Sequence, residues 1–120
     1  MKKTAKASRP VARVSLKDSV LIFKQIRNKN LKKAKTFLNE LIEHKKSLDG
    51  RYYPTASKEI LSLLKEAESN AESLGLDTER LFIKRAAANK AFTFILPKSR
   101  YTHRGRRAKM CHLEVEVEER

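Results

Sequence analysis

A chain of 120 residues with a single cysteine, Cys111, has no means of closing an internal disulfide, so nothing in it calls for an oxidising compartment and a cytoplasmic setting is expected. Tryptophan is absent, and glycine is confined to Gly50, Gly75 and Gly105, too scattered to form a phosphate-cradling loop. No apolar run approaches the roughly 20 residues of a membrane-spanning helix, and the first residues lack the apolar segment of a secretory signal. His44, His103 and His112 do not supply, together with one cysteine, the ligand spacing of structural zinc. Cys111 and His112 are neighbours in an alternating segment, which sends their side chains to opposite faces and excludes a nucleophile–base dyad. Cys111 is expected in the core. These absences point away from an enzyme, a metal or cofactor protein and a membrane protein.

Charge is what the sequence has in excess. Twenty-eight Lys and Arg against 14 Asp and Glu leave a net charge of +14, beyond what solubility requires, and imply a polyanionic partner. Lys2, Lys3, Lys6, Arg9, Arg13 and Lys17 all precede the first acid, Asp18. Between Glu79 and Glu114 there is no acid at all, while Arg80, Lys84, Arg85, Lys90, Lys98, Arg100, Arg104, Arg106, Arg107 and Lys109 supply ten cations. Such a segment repels itself, and an ordered form of it requires a dense anion nearby; RNA is such an anion. Tyr101 and His103, flanked by cations and outside any apolar periodicity, are expected to stack on splayed bases. Phe92 and Phe94 either do the same or pack along the local backbone. Gly105 allows close approach to RNA. The candidate RNA-binding residues are therefore Lys2, Lys3, Lys6, Arg9, Arg13, Lys17, Lys90, Lys98, Arg100, Tyr101, His103, Arg104, Arg106, Arg107 and Lys109. An anionic membrane surface fits less well, because the basic segment lacks the amphipathic helical pattern of an interfacial anchor.

Periodicity supplies a scaffold for these residues. A short edge strand is expected at 11–14, then a helix capped by Ser15 with Leu16, Val20, Phe23 and Ile26 on its apolar face, broken at 28–30. A second helix begins from Asn30 as cap, with Leu31, Ala34, Leu38, Leu41 and Ile42 in one stripe. Asp49-Gly50 and Tyr52-Tyr53-Pro54 mark a turn into a third helix from about Thr55, striped by Ala56, Ile60, Leu63, Leu64, Ala67, Ala71 and Leu74. Gly75 followed by Leu76 predicts a Schellman stop. Glu59, Lys65, Glu66, Glu68 and Glu72 are expected on a solvated face. Asn70, polar among apolar neighbours, is expected to bond nearby loop backbone, with an RNA contact as the alternative. Strands at 81–89 and 111–119 form a hairpin with a long basic tip, and in the return strand Cys111, Leu113, Val115 and Val117 alternate with His112, Glu114, Glu116 and Glu118. The division expected is one domain: a basic arm (1–10), a body (11–89), a hairpin extension (90–110) and a return strand (111–120).

The run Ala67-Glu68-Ser69-Asn70-Ala71-Glu72, then Gly75-Leu76-Asp77 and Ala88-Asn89-Lys90, resembles the universal large-subunit ribosomal protein family number twenty-two, called protein seventeen in eukaryotic nomenclature. Arg13-Val14-Ser15, Tyr53-Pro54, Gly105-Arg106 and Cys111-His112-Leu113-Glu114 extend the resemblance in the same order, from about Arg9 onward, and favour the archaeal and eukaryotic branch. The resemblance implies an α+β fold, with three helices packed on a small three-stranded antiparallel sheet and a long projecting basic β-hairpin. It also implies a cytoplasmic, non-catalytic constituent of the large ribosomal subunit. Ribosomal RNA and neighbouring ribosomal proteins are the implied partners, and the hairpin, about 90–109, would line the nascent-peptide exit tunnel. No cofactor, membrane or homo-oligomer is implied. The connection 45–53 is shorter than the loop of many relatives, and the tip 97–106 departs from the family's proline-basic pattern. The alternative function from the residues alone is a free nucleic-acid-binding regulator or nucleoid protein; a small RNA-acting enzyme lacks a candidate residue.

Overall fold

The computed structural model describes residues 4–45, 47, 50–95 and 107–120, and of 92–95 and 107–109 the backbone alone. Three strands and three helices follow one another as β1 (Thr4–Ala12), α1 (Leu16–Ile26), α2 (Leu31–Ile42), α3 (Pro54–Ser73), β2 (Leu81–Ile95) and β3 (Arg107–Glu119), with a 3-10 turn at Thr78–Arg80. The sheet is antiparallel in the order β1-β3-β2, so the last strand is the central one. This is the α+β architecture expected, with the helices on one face of the sheet and the β2–β3 hairpin forming its basic ribbon.

Local chemistry explains the boundaries. The Asp18 amide donates to Ser15 Oγ (3.4 Å) at the start of α1, and the Lys32 amide donates to Asn30 Oδ1 (2.9 Å) at the start of α2. α3 ends in the predicted Schellman pair: the Leu76 amide donates to Ala71 O (3.0 Å) and the Gly75 amide to Glu72 O (3.0 Å). Gly75 supplies the left-handed residue that this motif requires, at φ +77°. Beyond it Leu76 tucks against the core, whereas Leu74 is 64% exposed. The apolar stripe of α3 thus ends at Ala71, one position short of the expected Leu74.

The core is continuous. Ile22, Phe23 and Ile26 of α1, Leu31, Leu38 and Leu41 of α2, and Ile60, Leu63 and Leu64 of α3 are fully enclosed with Leu81, Ile83, Leu113 and Val117 of the sheet. On β3 the alternation holds as predicted, with Cys111, Leu113, Val115 and Val117 inward and His112 and Glu114 exposed. Burial of these side chains, at roughly 25 cal/mol per Å2 of apolar surface, is the main driving term for the fold.

Three features differ from the sequence reading. The first strand is not 11–14 but Thr4–Ala12, so residues 4–10 belong to the sheet edge and not to a free arm. Ala5, Ala7 and Ala12 point inward at 3–6% exposure, and their small size lets α3 pack closely over β1. The hairpin strands also extend further, with Ile95 opposite Arg107 at the last described rung, and bulges interrupt the ladder between Ile83 and Arg85 and between Lys90 and Thr93. Finally, Glu59, Glu66 and Glu68 are not simply solvated. Arg9 forks onto Glu59 (3.2 Å) and Glu66 (2.9 Å), and Lys35 of α2 pairs with Glu68, because α3 lies between β1 and α2 and shares its flanks with both.

Candidate nucleic-acid interface

The chain leaving β1, the first turns of α1 and α3, and the root of the hairpin enclose an open cleft of about 1030 Å3. Arg13 enters from the β1–α1 connection. Lys17, Val20, Leu21 and Lys24 line it as an i, i+3, i+4, i+7 row of α1, the spacing that puts four side chains on one helical face. Tyr53, Pro54 and Thr55 come from the start of α3, and Lys90 and Met110 from the two hairpin strands. The bulge that follows Lys90 is the kind of irregularity that turns a side chain away from the regular ladder.

Its electrostatics are one-sided. Arg13, Lys17, Lys24 and Lys90 face Asp18 as the single acid among the described lining residues. None of the four cations is in an ion pair with a described residue. The N-terminus of α3 opens here too, without a side-chain cap and without an acid in its first turn, so its leading N–H groups add partial positive charge. Tyr53 holds a left-handed backbone at φ +44° directly before Pro54, a conformation that costs roughly 1–3 kcal/mol for a residue with a side chain. It is retained because the Ser57 amide donates to Tyr53 O (2.9 Å), Ser57 Oγ donates to Tyr52 O (3.3 Å), and the Tyr53 side chain is half-buried against the core.

The outer face of the sheet is different. Glu114, Glu116 and Glu118 run along β3 and are met by Arg85 (3.6 Å), Lys84 (3.9 Å) and Arg120 (3.8 Å). Lys6 lies opposite Glu116 in the β1–β3 register and lines a small hollow of about 260 Å3 with Arg85 and Glu114. That face is charge-balanced. Lys32, at the start of α2, pairs with Glu79, whose carboxylate holds the ammonium above its ordinary value.

The structure therefore sorts the sequence candidates. Arg13, Lys17 and Lys90 converge on the cleft; Lys6 sits on the balanced sheet face; Arg9 is engaged with Glu59, Glu66 and Ser62 of α3. Arg107 and Lys109 lie on β3, opposite Ile95 and Thr93. Lys2, Lys3, Lys98, Arg100, Tyr101, His103, Arg104 and Arg106 lie outside the described residues, as do the side chains of Phe92 and Phe94. Two residues of the cleft escaped the sequence reading. Lys24 was signalled only by its i+7 spacing from Lys17, and Tyr53 only by its place before Pro54.

Cys111 is buried, and its thiol donates to Val14 O (3.1 Å), so it belongs to the floor of the body and not to a reactive site. Among the described residues there is no cluster of three or more His, Cys, Asp or Glu able to hold a metal ion, and no helix long and apolar enough to cross a membrane. Asn70 Nδ2 donates to Lys6 O (2.8 Å), a backbone bond as expected, although to a strand and not to a loop.

Comparison with known proteins adds an independent observation. The family model described as ribosomal protein L22p/L17e matches residues 7–118. The chain is 33% identical over 138 aligned positions to the large ribosomal subunit protein uL22 of Methanococcus aeolicus, covering 98% of this chain and 90% of the relative. It is 35% identical to the protein of the same name from Methanopyrus kandleri, covering 98% and 88%. For that of Methanocella arvoryzae the identity is 39%, covering 72% and 69%.

Proposed function

From the premise that the chain belongs to the ribosomal protein L22p/L17e family, we propose that its hairpin, about residues 90–109, lines the nascent-peptide exit tunnel and meets the growing chain there. The protein is a non-catalytic, rRNA-binding constituent of the large ribosomal subunit in the cytoplasm. Ribosomal RNA and neighbouring ribosomal proteins are its partners. The observation that carries this reading is the family match over 7–118 joined to the net charge of +14 that remains after the chain's own carboxylates are counted.

In this reading the contacts divide by position. Lys98, Arg100, Arg104, Arg106, Arg107 and Lys109 neutralise phosphates along the hairpin, Tyr101 and His103 stack on unpaired bases, and Lys2, Lys3 and Lys6 reach RNA from the N-terminal segment of the sequence. Arg13, Lys17 and Lys90 act at the hairpin root. Arg9 serves the contact through α3, holding β1 in place. The chain works as one domain and as a single copy, with RNA folding stabilised during subunit assembly by neutralised backbone repulsion.

Sedimentation of cell extract through a high-salt sucrose cushion tests this. The protein is expected to remain with the large subunit after the wash, and its recovery as free protein in the supernatant would refute the assignment.

A further inference from the structure

We infer that the cleft between the first turns of α1 and α3 is a seat for an unpaired stretch of RNA, its phosphates held by Arg13, Lys17, Lys24 and Lys90 and a base set against Tyr53. It anchors the body independently of the hairpin tip. The inference rests on the reading of the chain as an rRNA-binding protein and names where on the body, and with what kind of RNA, that binding occurs.

Three observations point to this ligand. First, the cleft gathers cations without an ion-pair partner among the described residues into one recess, whereas others of that kind, such as Lys33, Lys58 and Lys65, stand on exposed helical faces. Arg9, Lys35, Lys84, Arg85 and Arg120 all meet carboxylates, whereas the four cations of the cleft meet none among the described residues. They come from two stretches of sequence, residues 13–24 and Lys90 of β2, so their convergence is a product of the fold and costs electrostatic free energy until an anion enters.

Second, the site is concave and mixed. Val20, Leu21 and Pro54 lie among the cations, and Tyr53 adds an aromatic ring at the point where α3 begins. A flat, wholly charged surface suits the outside of a duplex. A recess with apolar walls and a ring suits a nucleotide turned out of its stack, which A-form duplex does not offer.

Third, the backbone at Tyr53 is held in a left-handed conformation, so the ring is placed by a rigid helix start and not by a mobile loop. A platform fixed in this way loses little conformational freedom when a base settles on it.

The experiment compares the full chain with two triple variants. One is Lys17→Gln/Lys24→Gln/Lys90→Gln in the cleft. The other is Lys33→Gln/Lys58→Gln/Lys65→Gln on exposed helical faces, where no described residue is ion-paired to these lysines. All six sites are exposed, and matching circular dichroism melts establish that both variants fold. Binding to a transcript of large-subunit rRNA is measured by filter retention over a salt series, with chemical probing of the RNA.

The cleft variant is expected to lower the log–log salt slope by about 2, at roughly 0.7 per single-strand phosphate contact, and to weaken binding by about 50- to 100-fold near physiological salt. The control variant is expected to change the slope by less than about 0.5, below one contact. Protection lost in the cleft variant should fall on unpaired nucleotides. Equal slopes for the two variants, with wild-type binding intact, overturn the inference alone, as does loss of protection confined to duplex. A wild-type chain that does not bind the transcript overturns the functional reading with it.

Discussion

The thiol of Cys111 shows how far a single group's surroundings set its behaviour. It is 1% exposed, packed beside Leu113 and Val115 in the central strand, and its only described polar contact is the carbonyl of Val14. Burial pushes the thiol above its ordinary value, because the thiolate would lose its hydration. The unfolded chain therefore ionises first as pH rises, so the thiol's contribution to stability is intact below about pH 8.5 and is lost above it. Urea unfolding at a series of pH values should show wild type losing stability through the alkaline range more steeply than Cys111→Ala. Lysines and tyrosines titrate in both proteins and cancel in the comparison. Parallel curves for the two would show that Cys111 is not buried in solution.

At the scale of elements, the vulnerable part is β1, an edge strand whose outer backbone would otherwise template pairing with another chain. α3 manages that edge. Asn70 takes the carbonyl of Lys6, and Arg9 reaches to Glu59, Glu66 and Ser62, tying the strand to the helix at two points. The arginine pairs are about one-third exposed and screened, so they contribute less than about 1 kcal/mol each. Asn70→Ala should cost about 1 kcal/mol, the worth of one hydrogen bond, and raise hydrogen exchange in the β1 amides while leaving α2 unchanged. Glu72→Ala, two residues on and exposed, should do neither.

This strand was also the element least legible in sequence. The helices announced themselves through the 3.6-residue apolar period and through Ser15, Asn30 and Gly75 as caps, and β3 through strict alternation from Cys111 to Glu118. In β1 the inward positions are alanines, which carry a weak apolar signal, and Lys6 and Arg9 between them read as part of a solvated arm. The candidate site was half legible. Charge segregation singled out Arg13, Lys17 and Lys90 as candidates, but their meeting with Lys24 and Tyr53 depends on the sheet register and on where α3 begins, long-range facts that no local pattern contains.

On the scale of the whole molecule, the governing quantity is the charge of +14 on an elongated body. The radius of gyration, 16.0 Å, exceeds the roughly 14 Å of a compact chain of this length, and the longest axis is 56 Å. Carboxylates of α3 and β3 pair with Arg9, Lys35, Lys84 and Arg85, but with 28 cations against 14 acids a large positive excess remains. Two opposing salt effects follow for the free protein. Added salt weakens the ion pairs at the surface, each worth about 0–1 kcal/mol, and it also relieves repulsion among the excess cations. Repulsion should win, because the pairs are short-range and partly exposed while the excess is spread over the whole chain. Raising sodium chloride should therefore raise the melting temperature of the isolated protein, by roughly 4 °C for each ~1 kcal/mol of relieved repulsion. The same salt range should weaken binding to rRNA, since each phosphate contact releases counterions that concentrated salt drives back. One set of cations thus predicts effects of opposite sign in two measurements. A melting temperature that falls with salt would mean that the ion pairs outweigh the excess charge, and that the free chain does not need an RNA surface to relieve it.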